Sequence, residues 1–344
     1  MSTSAEPPAG LPFPPMEAEL VAELPTGDGW QYEPKWDGFR GVLENVDGTI
    51  HLWSRNARPL LRYFPELAGL GERLPARSAL DGEIVIETEG ALDFDALQMR
   101  LHPAESRVQR LARERPASFV AFDVLLWDGE EVWQRPLEER RAAVERLPLE
   151  VSPATTDAAA ARAWLERLDV AGFDGVVAKR LGVPYLPGSR EGVVKVKRQL
   201  TADCVVAGVT WSEKASGFAS LVLGLYDDEG KLHHVGTASA SGKRRGEIEE
   251  RVLPLLGPNP ERKPRGEPSR WRPKADLLEW SPIPPELVVE VRYDKWQGAR
   301  FRHGTRFLRF RPDKDPESCT LDQVRPRPQP GDPTVPGLLS SARA

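Results

Sequence analysis

The hydrophobic and polar positions between residues 30 and 198 alternate short runs typical of strands with stretches of helical spacing. The runs FRGVLENV and TIHLWSR flank Asp47 and Gly48, a dipeptide that favours a two-residue hairpin turn. Strands are also predicted for SALDGEIVIET, SFVAFDVLLW, FDGVVAKR and GVVKVKR, and helices for PAESRVQRLARER, EERRAAVERL and DAAAARAWLERL. No G-x-G-x-x-G opens a helix after the first strand, so we expect an α+β domain of antiparallel sheets.

The pattern changes after residue 203 to short strands separated by glycine and aspartate turns. The runs are CVVAGVTWS, SLVLGLYD, HHVGTAS and LVVEVRYD, with one helix near KRRGEIEERVLPLL. This arrangement predicts a small Greek-key barrel of the OB type. We expect QLTAD, residues 199–203, to be a linker and the Pro-rich stretch 257–285 to be a long loop.

These patterns divide the chain into four parts. An irregular, proline-rich arm covers residues 1–25, the α+β domain residues 26–200 and the barrel residues 201–316. Residues 317–344 are expected to form a flexible Pro-rich tail. A length of 344 residues with 40% hydrophobic content is sufficient for two cores.

The composition excludes several classes of protein. The N-terminus lacks a basic segment followed by an apolar one, and no stretch approaches the ~18 apolar residues of a bilayer span. Cys204 and Cys319 stand far apart without a CxxC pattern, so neither a disulfide framework nor a zinc site is expected. We therefore expect a protein of the reducing cytoplasm.

The charge is distributed unevenly along the chain. The formal net charge is −5, which does not favour binding to a polyanion. Residues 292–314, however, contain eight basic and two acidic side chains. A basic segment on an acidic protein predicts one face for a polyanion and solvating acidic faces elsewhere.

The most informative string is EPKWDGFR. Pro34 cannot donate to a strand ladder and Gly38 permits a turn, so Lys35 is expected to project from a loop. Such a lysine, with Asp37 and Arg40 close by, can act as a nucleophile once its ammonium loses a proton. By itself the string is equally consistent with an ordinary polar loop.

Two further strings place cations at the spacing of one strand face. Lys195 and Lys197 alternate with valines, and two cations on one face suit an α-phosphate. Arg309 and Arg311 of RFLRFRPDK are also two apart, with Lys314 just beyond them. Without the other motifs, this second string would be interpreted as a basic edge strand.

The ordered set KWDGFR, LDGEIVI, FVAFDVLLWDG, FDGVVAKR, VVKVKR and RFLRFRPDK resembles the ATP-dependent DNA ligases over about residues 12–314. These enzymes are covalent nucleotidyltransferases, a group that includes RNA ligases and mRNA capping enzymes. EPKWDGFR and FRPDK are most similar to the bacterial ligases associated with end-joining repair. The resemblance implies that residues 26–200 are a nucleotidyltransferase (adenylation) domain and residues 201–316 an OB-fold domain.

The resemblance also implies a role for each residue of the lysine motif. Lys35 would be the adenylated residue, and Glu33 the partner of the adenine amino group. Arg40 would contact the nucleotide or the nick phosphate, and Asp37 would act near the strand ends. Arg55 of SRNARP matches an arginine used against ribose or phosphate.

The later motifs imply the rest of the site. Glu83 would hold the ribose or a metal, and Phe122 would stack on adenine. Asp174 occupies the metal-binding carboxylate position, where the family usually has Glu; Val193 stands where the family often has Trp. Further nucleotide contacts are implied for three lysines: Lys179, Lys195 and Lys197. Closure of the second domain would bring three cations to orient the pyrophosphate: Arg309, Arg311 and Lys314.

The implied activity is sealing of nicked double-stranded DNA with ATP as co-substrate and Mg²⁺ or Mn²⁺ as metal. The same resemblance suggests end-joining repair proteins as partners, a monomer that encircles its duplex, and a cytoplasmic, nucleoid-associated location without membrane contact. The alternatives are an RNA ligase, a GTP-using capping enzyme and a non-catalytic DNA-end-binding module. An NAD⁺-dependent ligase is disfavoured because the chain lacks a cysteine-rich zinc segment.

Overall fold

A computed structural model describes residues 14–211, 218–239, 244–264, 279–302, 305–325 and 329–341. The chain divides into two compact units. The first comprises residues 1–198 together with 327–344, and the second comprises residues 199–326.

The described residues form strands and helices with the following bounds. The strands of the first unit are β1 (Glu19–Leu20), β2 (Trp30–Pro34), β3 (Phe39–Val46), β4 (Thr49–Ser54), β5 (Ser78–Val85), β6 (Glu87–Thr88), β7 (Ala91–Leu92), β8 (Ser118–Trp127), β9 (Glu130–Glu131), β10 (Glu150–Val151), β11 (Val176–Arg180) and β12 (Val193–Val196). The strands of the second unit are β13 (Leu200–Trp211), β14 (Phe218–Tyr226), β15 (Leu232–Ser239), β16 (Lys263–Pro264), β17 (Glu279–Pro282), β18 (Val288–Tyr293), β19 (Trp296–Gln297), β20 (Arg300–Phe301) and β21 (Thr305–Phe310). The α-helices are α1 (Phe94–Arg100), α2 (Glu105–Glu114), α3 (Leu137–Val144), α4 (Ala158–Arg167), α5 (Arg245–Leu256) and α6 (Val335–Ser341). Short 3₁₀ helices cover Leu61–Tyr63, Pro65–Glu72, Leu168–Ala171, Pro316–Ser318 and Leu321–Gln323.

The first unit is built on two main sheets. One has the strand order β1-β12-β11-β2, and the other has the order β10-β8-β5-β3-β4 with β9 beside β8. Neighbouring strands are antiparallel except for the edge pairs β1–β12 and β10–β8. The α+β prediction with antiparallel sheets is therefore confirmed. Since β2 belongs to one sheet and β3 to the other, the segment 35–38 connects the two sheets.

The hairpin between β3 and β4 shows how closely local sequence determines this unit. Val46 pairs with Thr49, and the two turn residues Asp47 and Gly48 have φ of 50° and 89°. Left-handed backbone at both central positions is what a two-residue hairpin turn requires, and Asp-Gly supplies it at low cost. The turn sets the register in which β3 presents Leu43 to the core and Arg40 to the opposite face.

The second unit contains a closed five-stranded barrel. The ring runs β13-β14-β15-β21-β18 and returns to β13, with β15 and β21 parallel and the other pairs antiparallel. Helix α5 lies between β15 and β18 in sequence. This is the topology of an OB fold, as the sequence predicted.

Two segments of the second unit differ from expectation. QLTAD is mostly not a linker, because β13 begins at Leu200, which pairs with Tyr293. Within the expected loop 257–285, β17 pairs with residues 208–210 of β13, beyond Val205, which is the last β13 residue paired with β18. Residues 265–278 of this loop lie outside the described ones. β13 has twelve residues, so β18 and β17 can both pair along one of its edges. This pairing is non-local, and the proline-rich composition of the segment did not indicate it.

The two ends of the chain also differ from expectation. In the N-terminal arm, residues 1–13 lie outside the described ones, but Met16 is buried and β1 pairs with β12. In the expected tail, Cys319, Leu321 and Val324 belong to the core of the second unit. Helix α6 buries Val335 and Leu338 in the first unit. Each apolar residue lies among proline and polar residues, where the pattern favours disorder, yet each is buried in an existing cluster.

We expect Gly208→Ala to destabilise the barrel by about 2 kcal/mol, a typical cost of overpacking. A Cβ at this position would lie 2.3 Å from the Ser281 carbonyl oxygen and 2.8 Å from the Trp280 ring, and the backbone oxygen cannot rotate away. Gly246→Ala is the matched control: it lies in α5 with nothing within 4 Å of its Cβ, and should raise stability by ~0.5 kcal/mol. Denaturant unfolding of both variants measures the effect, and equal stabilities would contradict the close approach.

Candidate active site

A cavity of about 640 Å³ lies in the first unit and is lined by residues of both sheets. Pockets of this size hold nucleotide-sized ligands. Alternation along the strands brings charged side chains from separate motifs to this one cavity. The predicted site residues that line it are Glu33, Lys35, Arg40, Arg55, Glu83, Phe122, Lys179 and Lys195.

Lys35 is held on a loop between strands, as predicted. The loop follows Pro34 at the end of β2. The Lys35 amide donates to the Gly175 carbonyl and the Asp174 amide donates to the Lys35 carbonyl, each at 2.9 Å. Lys35 Nζ lies 2.6 Å from Asp174 Oδ2. Two backbone hydrogen bonds and one ion pair therefore fix the lysine against Asp174.

Positive charge exceeds negative charge around Lys35. Lys197 Nζ lies 3.1 Å from the same Asp174 oxygen, although Lys197 and Asp174 do not themselves line the cavity. Burial alone would raise the pKa of Asp174, but Lys35 and Lys197 outweigh it and hold that pKa below its usual value. Burial lowers the pKa of Lys195, and repulsion from Lys35 and Lys197 lowers it further. Three lysines with one carboxylate form a site suited to phosphate oxygens.

Gly38 is required for space rather than for the turn that the sequence suggested. Its φ is not in the left-handed region. A Cβ here would lie 2.2 Å from the Ile84 carbonyl oxygen and 2.9 Å from Glu83 Cγ. The Gly38 amide donates to Glu83 Oε1 at 3.1 Å. The glycine thus lets the lysine loop approach β5 and contact Glu83.

The pair of Glu33 and Lys179 forms a second polar group in the cavity. Glu33 is 3% exposed; its Oε1 accepts from Gln31 Nε2 at 2.8 Å and lies 2.8 Å from Lys179 Nζ. Lys179 Nζ also donates to the Phe122 carbonyl at 3.1 Å and lies 4.8 Å from the Phe122 ring centroid. The guanidinium carbon of Arg40 lies 5.5 Å from the same centroid. Two cations therefore lie close to the Phe122 ring, which attracts them.

Arg40 is oriented by a carboxylate that the sequence analysis did not single out. Its Nε and Nη2 donate to the two Asp81 oxygens at 3.0 and 2.6 Å. Asp81 Oδ2 also accepts from the Tyr185 hydroxyl at 2.7 Å, and this hydroxyl accepts from the Met16 amide at 2.9 Å. Burial and Asp81 both raise the pKa of Tyr185, so the hydroxyl keeps its proton. Asp81 could have been suspected from LDGE, whereas nothing in the sequence around Tyr185 indicates this contact.

Arg55 lines the cavity at its exposed side and pairs with Glu17. Glu17 also accepts from Arg190 Nε at 2.9 Å, and these two arginines lower the pKa of Glu17. Glu17 belongs to the arm to which the sequence analysis assigned no chemistry. No local signal could have found it, because its partners are 38 and 173 residues away.

Six predicted residues are not among those that line the cavity: Asp174 and Lys197, described above, and four others. Asp37 is 6% exposed and does not line the cavity. The other three belong to the second unit, where each contacts a carboxylate. Arg309 Nε lies 2.6 Å from Glu290, Arg311 Nη1 2.9 Å from Asp203, and Lys314 Nζ 3.6 Å from Asp203.

The carboxylates of the site fit a hard divalent cation. Among the described residues there is no group of three or more His, Cys, Asp or Glu placed to hold a metal. Mg²⁺ commonly takes one or two carboxylates and completes its shell with water and substrate phosphate. Asp174 would supply one carboxylate and Glu83 the other. Burial raises the pKa of Glu83 to about 7, despite the opposing effect of Lys35 and Arg40. A dication beside Glu83 would favour its ionised form.

Two antiparallel sheets joined by a lysine loop, followed in sequence by an OB barrel, are the architecture of a covalent nucleotidyltransferase. The model of the ATP dependent DNA ligase domain matches residues 15–197, and that of the ATP dependent DNA ligase C terminal region matches residues 214–314. The chain belongs to the ATP-dependent DNA ligase family.

Individual relatives agree with this assignment. DNA ligase C of Mycobacterium tuberculosis is 44% identical over 95% of this chain and 98% of its own length. The multifunctional non-homologous end joining DNA repair protein LigD of M. tuberculosis is 30% identical over 85% of this chain, which spans 37% of LigD. A solved structure from a study of Lig E DNA ligases has a TM-score of 0.53 and 18% identity, covering 86% of this chain and 100% of that chain; it supports the fold alone.

Membership of this family identifies the two substrates. ATP is the nucleotide substrate and DNA the polynucleotide, as predicted. The alternatives of a capping enzyme, an RNA ligase and a non-catalytic module are not supported. No helix among the described residues is long and apolar enough to cross a membrane.

The raised pKa of Glu83 predicts a stability effect with a definite sign. Its pKa is about 7 in the folded chain against an ordinary value of 4.5, so the folded state favours the protonated form. The contribution is complete below about pH 4.5 and is lost as the pH rises through about 7. Relative to Glu83→Gln, the free energy of unfolding should fall by up to ~3 kcal/mol across this window. Urea unfolding of both proteins at several pH values measures it, and parallel pH profiles would refute it.

Proposed function

We propose that this chain seals nicks in double-stranded DNA through a covalent AMP adduct on Lys35. The observation that carries the proposal is the placement of Lys35 Nζ at a nucleotide-sized cavity, beside Asp174 and near Lys195 and Lys197. Lys195 and Lys197 add a surplus of positive charge beside Lys35. The surplus stabilises charge on phosphate oxygens while the bonds to phosphorus change.

In the first step, Lys35 Nζ attacks the α-phosphorus of ATP. An N–P bond forms, the bond from phosphorus to the bridging oxygen breaks, and pyrophosphate leaves. The amine must lose its proton to attack; the proton leaves to solvent, while Asp174 Oδ2 at 2.6 Å holds the nitrogen in place. Lys195 and Lys197 bind the α-phosphate, while Glu33 and Phe122 contact the adenine.

In the later steps, the 5′-phosphate of the nick takes AMP from Lys35, and the adjacent 3′-hydroxyl displaces AMP to form the phosphodiester. Arg40 contacts the nucleotide or the nick phosphate. Two hydrogen bonds from Arg40 to Asp81 hold the guanidinium in one orientation for this contact. Asp37 acts near the strand ends. A divalent cation, Mg²⁺ or Mn²⁺, held by Asp174 and Glu83 would neutralise charge on the phosphate oxygens.

The second unit contributes cations to the first step. We assign the orientation of pyrophosphate to Arg309, Arg311 and Lys314. These three side chains would reach the leaving group when the second domain closes. Their present carboxylate partners, Glu290 and Asp203, keep them ordered within the barrel. Charge delivered to the leaving group accelerates phosphoryl-type transfer through positioning.

The biological setting is DNA repair. LigD is named as a non-homologous end joining DNA repair protein, and this chain is similar to 37% of its length. We therefore propose that the chain repairs breaks as a monomer in the cytoplasm, near the nucleoid, and works with end-joining proteins.

We expect Lys35→Ala to abolish labelling of the protein by α-labelled ATP while leaving the fold intact, because the variant lacks the attacking nitrogen. Lys231→Ala, which removes an exposed lysine from a turn of the barrel, should label like the wild type. Labelling is measured with ATP and, separately, GTP in the presence of Mg²⁺ or Mn²⁺. An adduct on Lys35→Ala would overturn the assignment, and preferential labelling by GTP would contradict ATP as donor.

Arg311→Ala should slow adenylation of Lys35 by about 100-fold, because one cation on the leaving group is lost. Sealing of a nick that already carries 5′-AMP should change little, since no pyrophosphate leaves in that step. Arg306→Ala removes an exposed arginine from β21, the strand that ends just before Arg311, and is the control for general loss of charge. Equal losses in both assays would show that Arg311 acts in DNA binding or stability instead.

A further inference from the structure

The C-terminal segment 329–341 is attached to the first unit at three places. The Val335 amide donates to the Gly90 carbonyl at 2.8 Å. Arg167 Nη2 donates to the Gly331 carbonyl at 3.1 Å and lies 3.4 Å from Asp332. Val335 and Leu338 of α6 are 2% and 8% exposed. The matched family models end at residue 314, so they give this segment no role.

The apolar face of α6 joins the cluster that supports the lysine loop. Val335 and Leu338 are buried in the same hydrophobic cluster as Trp36 and Phe173. The Trp36 and Phe173 rings contact each other with centroids 4.8 Å apart. Trp36 directly follows Lys35, and Phe173 directly precedes Asp174. The cluster therefore lies beneath both partners of the Lys35–Asp174 ion pair.

The backbone around this ion pair has little freedom to compensate for a shift of the cluster. Lys35 and residues 174–175 are joined by two backbone hydrogen bonds. Trp36 Nε1 also donates to Ser152 Oγ at 2.9 Å, which fixes the indole in one orientation. A displaced Trp36 or Phe173 would thus shift the Lys35–Asp174 pair relative to the cavity that Lys35 lines. No residue of α6 lines the cavity, so the segment can act only through these neighbours.

We infer that residues 329–341 are a positioning element for lysine adenylation, in which Val335 and Leu338 hold the Trp36–Phe173 pair and thereby the attacking amine. This inference rests on the proposed function, since it requires Lys35 to be the nucleophile. The segment follows the OB domain in sequence but serves the adenylation unit.

The test is single-turnover adenylation of the full-length chain carrying Leu338→Asp, Leu338→Ala or Leu338→Met. The Asp and Ala variants should lower the maximal rate of adduct formation by ~10-fold or more, because small misplacements of a reacting group are costly. The ATP concentration for half-maximal rate should stay within about twofold, since nucleotide contacts are unchanged. Leu338→Met fills the same space and should keep the wild-type rate. Ser340→Asp adds the same charge at an exposed position of α6 and is the matched control.

Each rate is measured well below the unfolding temperature of that variant, and circular dichroism verifies its fold. If Leu338→Asp does not fold, Leu338→Ala carries the test. A folded Leu338→Ala with the wild-type rate, or with weaker ATP binding and an unchanged maximal rate, would overturn the inference. Peptide mapping of the wild-type adduct distinguishes failure of this inference from failure of the proposed function. An adduct on a residue other than Lys35 refutes the proposed function, whichever Leu338 variants are active.

Discussion

The site depends on keeping three lysines close together in a partly buried space with one carboxylate between two of them. Like charges repel, and a cluster of ammonium groups would disperse if its side chains stood on flexible loops. Here Lys195 and Lys197 belong to β12 and its end, and Lys35 is tied by its backbone to residues 174–175. The sheet thus supplies the energy that holds the cations together. An incoming triphosphate is attracted because it relieves their repulsion.

Buried ion pairs elsewhere in the cavity follow the same logic. Glu33 on β2 pairs with Lys179 on β11, and Arg40 on β3 pairs with Asp81 on β5. Each pair joins two neighbouring strands, so a slip in register would leave a charge uncompensated, which is costly in a buried site. Pairs of this kind add little net stability, but they penalise alternative registers and orient the groups that meet the substrate.

The parts of the structure that the sequence could predict are those determined locally. Period-two alternation predicted the strands, Asp47-Gly48 predicted the hairpin, and the string around Lys35 predicted a loop lysine. The contacts that it could not predict join distant segments. Tyr185 reaches Asp81 over 104 residues, and β17 pairs with β13 although its surroundings resemble a loop. Gly38 illustrates a subtler limit, because the sequence indicated that a glycine was useful but not that the Ile84 carbonyl leaves no room for a Cβ.

The resemblance led us to expect glutamate at position 174, and the backbone next to this residue accommodates the shorter aspartate. Gly175 has a φ of 129°, and a Cβ there would lie 2.0 Å from the Val196 carbonyl oxygen. The start of β11 therefore approaches the end of β12 more closely than any larger residue would allow. This approach brings the backbone of residue 174 towards Lys197, so that the shorter side chain still contacts Lys197 at 3.1 Å and Lys35 at 2.6 Å. A glutamate on the same backbone would have to fold back to keep both contacts, because its carboxylate lies one methylene further out. The glycine and the aspartate are thus complementary, and the spacing of charges around Lys35 depends on both.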